Sequence, residues 1–242
     1  AAARAGADVA KFQTLTRDGL IARFVRDPQS GGIVANPRHA AFSNAGLPDA
    51  WHAPLKACCE DNGIEFMSTP FSLEAVDLME GIGVKRYKVA SGDLTFVPLL
   101  EKLGRTGKPV ILSTGMANLA EIHDAVRTAR EHGNTGLALL HCLSAYPAPI
   151  EEADLRTVPH LGQSFSAIPG LSDHTPGTAC AVAAVALGAR VIEKHFTLSR
   201  ADGGPDSAFS LEPDEMKRLV EDCTAAFQAL GRVRYDLAGC ER

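Results

Sequence analysis

The sequence contains no C-x-x-C pair, no G-x-G-x-x-G, no long apolar run and no excess of basic charge. Each absence removes a class of protein. The six cysteines, Cys58, Cys59, Cys142, Cys180, Cys223 and Cys240, lack zinc-finger spacing and are too sparse for a disulfide scaffold. They read as free thiols in a reducing compartment. No apolar stretch reaches the roughly 18–20 residues that a membrane helix requires. Lys plus Arg is 24 against Asp plus Glu at 29, a net charge of −5, so the basic footprint of a nucleic-acid binder is missing. At 45% hydrophobic residues the chain is too apolar for disorder. There is neither an initiator Met nor a charged-then-apolar leader, and the expected location is cytoplasmic. Instead the chain opens on Ala1-Ala2-Ala3-Arg4-Ala5-Gly6-Ala7, which reads as the last turns of a helix ending at a glycine cap.

Seven short apolar runs follow, each long enough for one buried strand. They cover residues 8–14, 65–70, 86–91, 109–114, 137–142, 167–172 and 190–195. Helical patterns lie between them. Leu73, Val76, Leu78 and Met79 predict a short amphipathic helix ending at Gly81. Asn118 and Glu121 form a capping-box signature ahead of Ile122, Ala125, Val126 and Ala129, with a stop near Gly133. Trp51 and His52 open a further helix, pack within it, and share it with Cys58-Cys59. Residues 179–187 are apolar nearly all round and predict a well-buried helix. Pro213 starts the last helix, with Met216, Leu219, Val220, Cys223 and Phe227 along it.

Strands alternating with helices mean βαβ units and a parallel sheet. Two architectures compete, a doubly wound sheet and a (β/α)₈ TIM barrel. The missing glycine fingerprint weighs against the first. For the second speaks the placing of reactive groups at almost every strand end: Lys11 and Gln13, Ser68-Thr69, Lys88 and Ser91, Ser113-Thr114, Ser144, Asp173-His174, and His195. Chemistry at the C-terminal ends of many strands is the barrel pattern. Seven strands are visible where a barrel has eight. The expectation is therefore one incomplete barrel domain over residues 1–242, with strand 1 and most of helix 1 upstream of Ala1.

His174 and His195 end consecutive strands, so a barrel makes them neighbours. Two imidazoles suit a borderline divalent cation and leave positions open for water and substrate. The plainer alternative is that each histidine only hydrogen-bonds within the rim. Lys11 and Lys88 stand in apolar strands, where an unpaired lysine is costly. One resolution is an anion held between them, with Ser91, Ser113, Thr114 and Gly115 completing a cradle. The other is a salt bridge to Glu or Asp across the barrel. Asp206, in the Asp202-Gly203-Gly204-Pro205-Asp206 loop, is either a sugar ligand or a solvated turn residue. His141 reads as a packed strand residue.

These strand ends resemble, in order and over nearly the whole chain, the sialic acid synthase family. The matching blocks are Gly6-Ala7-Asp8-Val9-Ala10-Lys11-Phe12-Gln13, Phe66-Met67-Ser68-Thr69-Pro70-Phe71, Tyr87-Lys88-Val89-Ala90-Ser91-Gly92-Asp93 and Ser113-Thr114-Gly115-Met116. They continue with Ser144-Ala145-Tyr146-Pro147, Gly170-Leu171-Ser172-Asp173-His174-Thr175, Glu193-Lys194-His195-Phe196-Thr197, and Gly204-Pro205-Asp206 with Ser210-Leu211-Glu212-Pro213. The resemblance implies a (β/α)₈ barrel that condenses phosphoenolpyruvate with an N-acyl amino sugar, giving a nine-carbon keto sugar acid and phosphate. It implies that His174 and His195 hold Mn²⁺, with Mg²⁺ or Co²⁺ as alternatives. Lys11, Thr69, Lys88, Ser91, Ser113, Ser144 and Ser172 would hold phosphoenolpyruvate, and Gln13, Tyr146 and Asp206 the sugar. Lys11, Lys88, His174 and His195 would carry the catalysis.

Ser144 stands where some relatives carry Asn, and Asp93 where some carry Glu, which leaves room for a water. The family's first strand, with a Glu and an Asn-His pair, has no counterpart here. Nor has the C-terminal antifreeze-like domain of many relatives, which lends an Arg to the other subunit of a homodimer. The sugar stays open. Asp206-Ser207-Ala208-Phe209-Ser210 looks like pseudaminic acid synthases, whereas Lys88–Asp93 looks like N-acetylneuraminate or legionaminate synthases. N-acetylmannosamine is the first expectation and the di-N-acetylated trideoxyhexoses the second. Two rival classes are a catalytically incomplete, ligand-binding barrel fragment and a different metal barrel, an aldolase or amidohydrolase. Neither nucleic acid nor membrane is an expected partner.

Overall fold

The computed structural model describes residues 1–41, 46–134, 136–204 and 206–241. A 3₁₀ turn at Ala3–Ala5 comes first and ends as expected at Gly6, whose φ of 89° lets its N–H reach the Ala3 carbonyl. Strand β1 is Val9–Thr14, followed by a short helix α1 at Arg17–Leu20 and an antiparallel hairpin, β2 Phe24–Arg26 with β3 Ile33–Ala35. Then come α2 Pro37–Ala41, α3 Asp49–Asp61, β4 Glu65–Pro70, α4 Leu73–Ile82, β5 Tyr87–Val89, α5 Val97–Arg105, β6 Val110–Ser113 and α6 Leu119–Glu131. The chain finishes with β7 Leu137–Cys142, α7 Thr157–Phe165, β8 Ile168–Asp173, α8 Ala179–Ala186, β9 Val191–Lys194 and α9 Pro213–Leu230.

All seven expected strands are present within one or two residues. β1 pairs with β4, and β5 to β9 form a five-stranded sheet in sequence order, every pair parallel. β4 lies beside β5, so the seven strands run as one curved row. Its ends approach across the interior: Val9 of β1 and Val191 of β9 pack on the same inner cluster of Met67, Ile111, Ala138 and Leu140. Gly170 permits this closeness. A Cβ there would stand 2.4 Å from Leu140 Cδ2 and 2.5 Å from the Val191 carbonyl oxygen.

The larger core lies outside the row, between strands and helices, where Leu99, Leu100, Leu103, Leu112 and Leu139 are fully buried. Burying one such leucine contributes roughly 1.5–3 kcal/mol. The capping box at α6 forms as expected, with Asn118 accepting from the N–H groups of Ala120 and Glu121 while Glu121 accepts from that of Asn118.

Several expectations need correction. α4 runs to Ile82 and stops at Gly83 rather than Gly81, because Gly83 adopts the left-handed conformation that caps the helix. α8 buries only one face, since its other side, with Leu187 beyond it, is open. Trp51 is exposed, and His52 alone packs inward. No helix among the described residues is long and apolar enough to cross a membrane.

Candidate active site

Strand alternation decides which groups meet. On β1 it sends Lys11 inward with Gln13; on β4, Thr69; on β5, Lys88; on β8, Ser172; on β9, Glu193; and His174 and His195 follow directly after β8 and β9. The lysines do not face each other unpaired. Glu193 stands between them, 3.5 Å from Lys11 Nζ and 3.7 Å from Lys88 Nζ, and accepts from Ser172 Oγ at 3.2 Å. The salt-bridge alternative is therefore what the structure shows. Within ion-pair distance, two cations share this one carboxylate.

Lys88 is 2% exposed and donates to Ser113 Oγ at 2.7 Å and to the Val89 carbonyl at 2.8 Å. Burial pushes its ammonium below the ordinary lysine value, and the Glu193 attraction offsets this only in part. Burial also works against the Glu193 carboxylate, yet Lys88 and then Lys11 hold it down to about 2.

Beside this triad lies a bay of donors. The Gly115 N–H donates to Ser91 Oγ at 3.1 Å. A Cβ on Gly115 would stand 2.3 Å from Ser144 Oγ and 2.9 Å from Ser91 Oγ, so this residue has to be glycine for the three to close up. The Thr69 hydroxyl is buried without a hydrogen-bond partner, and so is Asp93 Oδ2. Burial lifts the Asp93 carboxyl to about 6 against the opposing pull of Lys88. Unpaired buried polar groups in a native site call for a ligand or water. Lys11, Lys88, Ser113 and Ser172 are thus linked through Glu193 and Lys88, Ser91 and Ser144 flank Gly115, and Thr69 lies opposite Gln13 on the neighbouring strand.

The second half is aromatic. The His174 and His195 rings lie 5.3 Å apart, and Tyr146 packs on both, at 4.2 and 5.9 Å. Phe209 closes the cluster, 5.4 Å from Tyr146 and 5.1 Å from His195. His174 Nδ1 lies 2.9 Å from the Leu143 carbonyl, which can only accept, so Nδ1 carries a proton and Nε2 is the nitrogen left free of that bond. Such a hydrogen bond is how a metal-ligating imidazole is held. Asp206 Oδ2 lies 3.5 Å from His195 Nδ1.

The two imidazoles are the residues here that could ligate a divalent cation, which would then find its remaining positions open. No group of three or more His, Cys, Asp or Glu placed to hold a metal ion together exists among the described residues. Burial raises the Tyr146 phenol to about 12, so it stays a neutral donor. Gln13 stands exposed at the rim opposite Thr69 in the ladder. Pro205 lies outside the described residues. His141 bonds the Ala153 carbonyl at 2.8 Å, as a packed strand residue would.

Two participants had no role assigned from sequence. Glu193 shares an inward face with His195 two residues on, a signal that alternation could have supplied. Phe209 could be found only from the folding back of its loop.

The curved parallel row, with polar and charged groups at its C-terminal rim, is a partial α/β barrel sheet, and its solved neighbours are barrels of the (β/α)₈ type. The chain belongs to the NeuB family, whose sequence model matches residues 1–235. It is 40% identical over 235 residues to N,N'-diacetyllegionaminic acid synthase of Campylobacter jejuni, covering 95% of this chain and 70% of that protein. It is 38% identical over 229 residues to pseudaminic acid synthase of Helicobacter pylori, covering 93% and 67%. The crystal structure of N-acetylneuraminic acid (sialic acid) synthetase from Leptospira borgpetersenii, in complex with citrate, matches with a TM-score of 0.89 at 31% identity, covering 99% of this chain and 80% of that one. The chain spans about two thirds of the length of the curated relatives it matches.

Proposed function

We propose that this chain is the barrel of a phosphoenolpyruvate-dependent synthase joining phosphoenolpyruvate to an N-acyl amino sugar, with release of phosphate. One observation carries the reading. A cationic bay with buried, unpartnered hydroxyl and carboxylate oxygens lies on the same rim as an aromatic pocket holding two imidazoles. The first half suits a small phosphorylated carboxylate. The second suits an amino sugar in its open-chain aldehyde form, whose C–H face lies against Tyr146 and Phe209 and whose hydroxyls reach Asp206 and Gln13.

In this reading Lys11, Lys88, Ser91, Ser113 and the Gly115 bay hold the phosphate and carboxylate throughout. Placing both substrates on one rim replaces an encounter in solution. The alkene carbon of phosphoenolpyruvate forms the new C–C bond to the sugar's aldehyde carbon. Water then adds at the former enol carbon, and phosphate leaves by C–O cleavage. Asp93, with its raised carboxyl beside Lys88, is placed to exchange a proton at Oδ2, through a water where its short arm falls short. His174 and His195 would hold a divalent cation, Mn²⁺ first, which would supply Lewis-acid polarisation of the sugar carbonyl.

We also place one more strand between β1 and β9. Among the described residues each of these has a ladder partner on one side only, while their side chains meet inside the barrel. The expected homodimer and cytoplasmic location belong to the same proposal.

The test is phosphate release from phosphoenolpyruvate by the intact protein, with Mn²⁺ and each of N-acetylmannosamine and the two di-N-acetylated trideoxyhexoses. Release that requires both metal and one of the sugars is expected. No release with any of the three refutes the reading.

A further inference from the structure

β8 and β9 end on Asp173 and Lys194, each followed directly by a histidine, His174 and His195. Alternation turns the histidines into the barrel and sends Asp173 and Lys194 to the opposite face, beneath the helix layer. The two are direct register partners in the ladder. Lys194 Nζ lies 2.7 Å from Asp173 Oδ2 and donates to the Thr175 carbonyl at 2.5 Å. Asp173 Oδ1 accepts from both the N–H and the hydroxyl of Thr175, at 2.9 and 2.7 Å. The two charged side chains are 1% and 2% exposed. The neighbouring outer layer is apolar, with Ala5, Ala181, Leu211, Met216 and Leu219 at its core.

Stability does not account for an ion pair in such a place. Stripping water from each ion costs several kcal/mol, and apolar side chains of similar volume usually do as well or better. What the pair does supply is direction. It ties the end of β8, the end of β9 and the turn at Thr175 through four directional contacts, each within one residue of a histidine. His174 is then left with its Nδ1 on the Leu143 carbonyl and its ring against Tyr146.

We infer that the Asp173–Lys194 ion pair is the positioning clamp of the histidine pair, setting the separation and tilt of the His174 and His195 rings from behind the sheet. The inference rests on the two-histidine site proposed above. Both residues act through their neighbours and touch no substrate.

The test compares the intact wild-type protein with K194M, the apolar double variant D173L/K194M, and K194R. Three readouts are taken: urea unfolding, Co²⁺ titration followed by visible absorption, and ¹⁵N–¹H imidazole correlations without metal. Removing one partner strands a buried charge, so K194M is expected to lose stability, and the double variant keeps the test independent of that loss. The double variant is expected to unfold near the wild-type urea midpoint, to bind Co²⁺ about 10–100-fold more weakly, and to show shifted His174 and His195 imidazole signals. K194R, which keeps the charge, is expected to retain most of the affinity. A well-folded double variant with wild-type imidazole signals and wild-type Co²⁺ affinity overturns the clamp. If the wild type itself binds no Co²⁺, the metal reading fails. The imidazole signals then decide the clamp alone, supporting it if they shift and overturning it if they do not.

Discussion

Glu193→Gln is the sharpest single test of the bay, because it removes one charge and almost no volume. Glu193 lies 3.5 Å from Lys11 Nζ and 3.7 Å from Lys88 Nζ. At an effective dielectric of about 20, each contact is worth about 4–5 kcal/mol. The gross loss of roughly 9 kcal/mol is not the expected one, since the carboxylate's own desolvation, several kcal/mol, disappears with it. Nor are the lysines equivalent. The Lys11 side chain is 22% exposed and can turn toward water, whereas that of Lys88 is 2% exposed and cannot. Lys88 is already held below the ordinary lysine value, so it can shed its proton and cap the penalty. Breaking one buried pair typically costs about 3–5 kcal/mol, and the lower end of that range is expected here.

The same substitution has an opposite effect on ligands. Glu193 repels any anion seated on the two lysines, so removing it should tighten binding of phosphate or phosphoenolpyruvate. A gain of about tenfold corresponds to about 1.4 kcal/mol. The assay is urea unfolding of wild type and variant along a phosphate titration. The variant should begin less stable and gain more from phosphate. A variant as stable as wild type, or one that phosphate stabilises no more than wild type, refutes the reasoning.

Gly115→Ala places a methyl 2.3 Å from Ser144 Oγ and 3.1 Å from the Cys142 carbonyl oxygen. The backbone atom cannot swing aside, so a stability loss of about 1–3 kcal/mol is expected. Calorimetry should also show at least a tenfold loss of phosphoenolpyruvate affinity, since about 1.4 kcal/mol of misplacement suffices for that. Asp93→Asn should act through pH. Its carboxyl, buried and opposed by Lys88, is raised from 3.8 to about 6 in the folded chain. Ionisation therefore costs nothing below 3.8, weakens the fold progressively as pH rises to about 6, and stays a full penalty above that. After allowance for partial exposure, Asp93→Asn should stabilise by about 1–2 kcal/mol at pH 7 and not at all near pH 3.5, read from urea midpoints. Asn118→Ala removes the α6 cap, and urea unfolding should show a loss of about 1 kcal/mol while phosphate release is unchanged.

Why strands and rim groups were legible, and the pairings among them were not, follows from the range of the forces involved. A short apolar run such as Pro109–Leu112 declares a buried strand by itself, and Asn118 with Glu121 declares a helix start, because both signals act within a few residues. The helix stop at Gly83 rather than Gly81 was decided by which glycine takes the left-handed conformation, and composition alone does not distinguish them. The hairpin β2–β3 was invisible for the opposite reason. Phe24, Val25, Ile33 and Val34 are exposed, so burial, the source of the apolar signal, does not shape it. Glu193 is the most instructive case. Read along the chain, Glu193-Lys194-His195 looks like a charged strand end with one functional histidine. Period-two alternation divides it into two opposite roles: Glu193 joins His195 on the inner face and meets lysines from β1 and β5, while Lys194 turns outward to Asp173. The division itself is local and could have been read. The partners are set by strand register and barrel curvature, which come from side chains more than a hundred residues apart packing together. A lysine's need for a counter-charge is therefore evident in sequence, but only the curved row of strands identifies the carboxylate that meets it.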